Sequence, residues 1–124
     1  GGTIKNSRGG LGAAECWGKP AEWIDYYGPV DGKVVGVTIM DHPESFRHPT
    51  HWHIRDYGLF AANPFGHRHF YGKEAAGKGD YRLQKGQSIR FKYRLYIHHG
   101  NTARSNVESV YGGFSTPPLL HLKR

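Results

Sequence analysis

This chain of 124 residues holds nine histidines, and six of them fall between His42 and His69. His51 and His53 stand two apart, the spacing at which side chains leave one face of a strand, and Arg55 continues the series. His42 and His48 lie just ahead on Asp41 to Pro49 (DHPESFRHP), whose two prolines forbid a central strand and make the segment a loop. Four imidazoles and a guanidinium are therefore expected at one end of the fold. Acid/base catalysis would use an imidazole titrating near pH 6.5, about its unperturbed value, with a carboxylate to orient it. Asp41, Glu44 and Asp56 are near enough in sequence to serve. On this reading His53, Arg55, His42 and His48 are the catalytic candidates, and Trp52, Asn63 and Phe65 are the substrate-binding candidates.

The same nitrogens suit a metal. His48, His51 and His53 could hold a Zn, Cu or Fe ion, although no cofactor is required by the sequence. The fixed charge of Arg55 on that face opposes a cation and favours a carboxylate or other anionic group. A plainer reading stands beside both: Asp41-His42-Pro43 and Asn63-Pro64 are ordinary turn formers. His67, His69, His98, His99 and His121 are read as surface or loop residues, and Arg90, Lys92 and Arg94 as a solvated strand face. Cys16 has no sequence neighbour that would activate a thiol. Phosphate-binding glycine loops, a nucleophile elbow and a close carboxylate pair are all missing from the sequence.

The elements that must place these residues are mostly short strands. Trp23 to Tyr27 and Lys33 to Met40 flank Gly28-Pro29-Val30-Asp31-Gly32, a hairpin with an Asp-Gly turn. Thr50, Trp52 and Ile54 alternate with the polar series of His51, His53 and Arg55, and Gly58 to Ala62 is a second short apolar strand. Gln87 to His99 (QSIRFKYRLYIHH) carries the clearest periodicity, with Ile89, Phe91, Tyr93, Leu95 and Ile97 predicted to face the core. Asn101 to Tyr111 is the one predicted helix, capped by Asn101 or Thr102 and stopped by Gly112-Gly113. Lys73 to Asp80 reads as a connector and Pro117-Pro118 as irregular. Residues 1–19 are a Gly-rich segment expected to add little core, and residues 20–124 are the folded domain.

Composition narrows the class. Eighteen glycines and seven prolines break long helices, while 37% hydrophobic content supports one core. A single cysteine excludes an internal disulfide and a cysteine-based zinc cage. No apolar run approaches the roughly 20 residues of a membrane-spanning helix. The net charge of +7 is dispersed along the chain rather than gathered into a nucleic-acid stripe, so a small polar ligand is expected before nucleic acid. Location stays open between export to the periplasm or exterior and the cytoplasm.

Val34 to Gly66 (VVGVTIMDHPESFRHPTHWHIRDYGLFAANPFG), led in by Trp23-Ile24-Asp25-Tyr26 and followed by Leu83 to Gly100, resembles a bacterial family of unknown function labelled PmoA or DUF6807. The likeness runs from about residue 20 to 111 and is closest at His53, Arg55, Asn63 and Phe65. It implies an all-β fold, an antiparallel β-sandwich that forms part of a galactose-mutarotase-like supersandwich, with one short helix near the C-terminus. It also implies that this chain is the C-terminal part of a longer domain. The expected function is carbohydrate-active with histidine-centred acid/base chemistry. The alternatives are a non-catalytic carbohydrate-binding or structural module and a His-ligated metalloenzyme. A chain parted from neighbouring strands is expected to self-associate.

Overall fold

The computed structural model describes residues 2–116 and is mostly antiparallel β. The expectations for Pro117-Pro118 and His121 lie outside the described residues. Six strands, β1 (Thr3–Asn6), β2 (Trp23–Val30), β3 (Lys33–Asp41), β4 (Trp52–Ile54), β5 (Phe60–Ala62) and β6 (Tyr93–His99), are joined by three short helices, α1 (Ala13–Cys16), α2 (His67–Tyr71) and α3 (Val107–Ser115). The main sheet has the order β1-β2-β3-β6, and β4-β5 form a second, two-stranded sheet.

The hairpin of β2 and β3 follows the predicted turn: Asp31 and Gly32 have φ of 51° and 79°, the left-handed pair that a tight two-residue hairpin loop requires. Alternation along the main sheet then sorts its side chains. Ile4, Ile24, Tyr26 and Ile39 pack with Trp52, Ile54, Phe60 and Cys16 beneath the β4-β5 sheet. Trp23 and Met40 point the other way and pack with Tyr96 against Val107, Tyr111 and Phe114 of α3. The packing is sandwich-like on one face, and a helix covers the other.

A buried carboxylate fixes this arrangement. Asp25 of β2 is fully enclosed on the α3 face and accepts hydrogen bonds from Thr38 Oγ1 of β3 (2.8 Å), His98 Nε2 of β6 (2.6 Å) and Thr102 Oγ1 of the following turn (2.7 Å). Burying a charge is costly unless donors surround it. Three strands and the approach to α3 are thereby held in one register.

The same constraint inverts β6 relative to its predicted orientation. His98 is 6% exposed, whereas Leu95 and Ile97 are 63% and 77% exposed. Alternation is preserved but the polar side is the one buried, because His98 must reach Asp25 and α3 covers that side. The three-residue strands of β4 and β5 are too short to cover the opposite face as far as β6. The strand also begins at Tyr93 rather than Gln87.

Residues 1–19 depart from the expected loop. β1 pairs with β2 along its whole length, and Ile4 and Cys16 are core residues. One apolar residue among four is too short a signal for periodicity to register. The segment is fastened by Arg8 and Ser7, whose side chains donate to Glu22, and Asn6 Oδ1 accepts from the amides of Arg8 and Gly10. The predicted helix shifts as well. Thr102 is drawn to Asp25 instead of capping, Asn101 Oδ1 accepts from Arg104 N, and α3 begins only after Asn106 (φ 56°). It runs through Gly112-Gly113 because Phe114 anchors it to the core.

Two tests follow from these contacts. Asp25→Ala leaves buried donors unpaired and should lower urea-unfolding stability by about 3–5 kcal/mol. Ile97→Lys on the open face should stay within about 0.5 kcal/mol of the parent, and equal losses would refute the central place of Asp25. Glu22 is held down to about 2, first by its hydrogen bond from Arg8, against an ordinary 4.5. Its folded value is the lower one, so this link stabilises above pH 4.5 and fades as pH falls from there toward 2. Arg8→Ala should flatten the thermal midpoint against pH in that window; an unchanged acid limb would contradict the link.

Candidate functional site

Asp41 ends β3 on the β4-β5 face, and His42, the next residue, turns to the α3 face. This alternation separates residues that lie side by side in sequence. The Asp41–Pro49 loop is clamped to the chain entering β6: His42 N donates to Lys92 O, Phe46 N to Arg90 O, and Ser45 Oγ exchanges hydrogen bonds with the Lys92 backbone. The clamp returns His48 onto Asp41. His48 Nδ1 donates to Asp41 Oδ2 at 2.8 Å, and Thr50 N donates to the same oxygen at 2.9 Å. Asp41 is fully buried, while the His48 side chain is 16% exposed. With Nδ1–H committed to the carboxylate, the neutral ring carries its lone pair on Nε2, which has no hydrogen bond among the described residues. Tyr93 stands opposite Asp41 in the β3-β6 register, its phenol pushed up to about 12 by burial and by the Asp41 charge. It is a protonated donor at neutral pH.

The other predicted residues go elsewhere. His42 is buried edge-on against Phe114, and its Nδ1 accepts from Glu44 N, a turn contact. Asn63 Oδ1 likewise accepts from Phe65 N. Trp52 is fully buried with Nε1 donating to Ala21 O, so its ring faces the core and a sugar-stacking role does not fit. Phe65 is exposed, beside Phe46 and Phe91. The predicted convergence of four imidazoles and a guanidinium is thus not what the fold produces.

His51, His53 and Arg55 do share the outer face of β4, where they meet Trp17, just after α1, and residues of α2. The Arg55 guanidinium lies 4.3 Å from the Trp17 ring centre, the His53 ring contacts Trp17 and Phe70, and the His51 ring lies 4.6 Å from that of His67. Among the described residues no three His, Cys, Asp or Glu side chains are placed to hold a metal ion, so His48, His51 and His53 are not a ligand trio.

Two contributors escape a sequence reading. Arg47, with φ of 59°, donates to the carbonyls of Pro64, Gly79 and Asp80 and sits between the rings of Phe46, Phe65 and Tyr81. His67, read as a surface residue, is carried onto His51 by α2. Apart from Phe46 beside Arg47, their partners lie at least sixteen positions away, with no local pattern to signal them.

A mostly β chain with a closed Asp25-His98 pair, an Asp41-His48 pair whose Nε2 makes no hydrogen bond among the described residues, and a separate imidazole and aromatic face is the class that fold and site define. The chain belongs to a family described as a family of unknown function (DUF6807), whose model matches residues 1–112. That match takes in the N-terminal segment containing β1. No curated protein and no solved structure matches the chain. No helix among the described residues is long and apolar enough to cross a membrane.

The cysteine can be tested directly. Cys16 is enclosed in the core, and burial pushes its thiol up to about 11. At pH 8 a thiol-disulfide reagent should leave it unmodified in the folded chain and react rapidly once urea unfolds the protein. Fast reaction in the native state would mean that this core opens.

Proposed function

We propose that the chain carries a histidine-centred acid/base site in which His48 exchanges a proton with a small polar ligand. Carbohydrate hydroxyls and ring oxygens are the ligand class that the sequence resemblance led us to expect. The contact that supports this reading is Asp41–His48: a buried carboxylate fixes the imidazole tautomer and leaves Nε2 for the ligand. Asp41 is the positioning residue, and protonated Tyr93 is available to donate a hydrogen bond to ligand oxygen. Phe65 keeps a stacking role by its exposure. His53 and Arg55, packed against Trp17 on the outer face of β4, are not assigned a part in this chemistry. Self-association is a second proposed property, supported by the uncovered Leu95 and Ile97 on an edge strand.

The test is a panel of reducing sugars and oligosaccharides followed by nuclear magnetic resonance, reading anomer exchange and bond cleavage. His48→Ala should lower turnover by about 10²–10⁴-fold while circular dichroism stays native. His48→Gln, which retains a polar side chain, checks that packing is not the cause. A ligand that binds but is never turned over makes the chain a binding module and rejects the proposal. Undiminished turnover in both His48 variants rejects it as well.

A further inference from the structure

We infer that His51 and His67 together form a binding site for a divalent transition-metal ion. β4 projects His51 from its outer face, and α2 sets His67 against it, with ring centres 4.6 Å apart and planes inclined at 52°. Neither ring makes a hydrogen bond among the described residues, and the Nδ1 atom of His67 is buried with no partner. Two imidazoles gain little from such proximity by themselves, since charged rings repel and neutral rings leave lone pairs unused.

The spacing fits a shared ion. A metal 2.0–2.1 Å from a ligating nitrogen lies about 3.2 Å from the ring centre, so two imidazoles bound at 90–109° have centres about 4.5–5.2 Å apart. The observed separation falls in that range. Arg55, whose charge would oppose a cation, is turned onto the Trp17 ring. His53 shares the strand face but packs against Trp17 and Phe70.

The donor set points to Zn²⁺, Ni²⁺ or Cu²⁺ rather than Mg²⁺ or Ca²⁺, which prefer carboxylate and carbonyl oxygen. Phe70 and Tyr71 wall the pair, and the Tyr71 hydroxyl donates to Gly18 O, which leaves it occupied. Two protein nitrogens would leave the remaining coordination positions to water or a small ligand. This site uses none of the residues assigned to acid/base chemistry, so either assignment can fail without the other.

Titration calorimetry on the chelator-treated full chain, with zinc, nickel and copper(II) chlorides used singly, tests the site. At least one ion should bind at about one equivalent. Affinity should fall by roughly tenfold or more in both His51→Ala and His67→Ala, and hold in His69→Ala and His99→Ala. His67 lies on a short outer helix, so His67→Ala serves even where His51→Ala fails to fold, with circular dichroism checking each variant. Electron paramagnetic resonance of the copper-loaded chain should show coupling to two nitrogens. Uptake below about 0.2 equivalents of every ion, or equal affinity in the folded His67 variant and the parent, overturns the inference.

Discussion

Asp25 is a charge in a place that water cannot reach, and its surroundings are arranged to make that tolerable. Its two oxygens receive donors from β3, β6 and the turn that leads to α3. Moving any of these by one residue would point a donor to the other face of the sheet and leave the carboxylate short of a partner. Register, strand order and the side chosen by α3 are consequences of one requirement. The exposure of Leu95 and Ile97 belongs to the same list, since a strand that turns His98 inward must turn its neighbours outward.

Asp41 is the counterpart on the opposite face and serves a different purpose. The Asp25 network is closed, whereas Asp41 holds an imidazole whose second nitrogen is not engaged within the described chain. The surrounding loop is bonded at several points to the approach to β6, which places His48 against a braced support. A preorganised proton acceptor needs that rigidity, because an imidazole free to rotate loses both its tautomer and its aim. The phenol of Tyr93 shares the environment and remains protonated.

The outer face of β4 has another physical character. Aromatic rings from Trp17, just after α1, and from α2 meet the imidazoles of His51 and His53 edge-on or offset, and Arg55 lies over indole instead of facing an anion. Packing of this sort dehydrates imidazole without supplying hydrogen bonds. Such rings become ligands more readily than proton shuttles oriented by a carboxylate.

Local order was legible in the sequence wherever two or more residues repeated a pattern. The Asp-Gly hairpin, the inward Thr50, Trp52 and Ile54, and the antiparallel β class follow from short-range sterics and alternation. Asp41 was already among the possible partners of a histidine, though its neighbour His42 could not be separated from His48 by spacing alone. Tertiary structure decided which face of β6 is buried, whether residues 1–19 join the sheet, where α3 begins, and that Arg47 and His67 matter. Each of these depends on contacts between distant residues, and for β6 and the start of α3 the cost of leaving the buried Asp25 unpaired outweighs local propensity. Alternation tells which residues share a face; only the packed fold determines which face meets water.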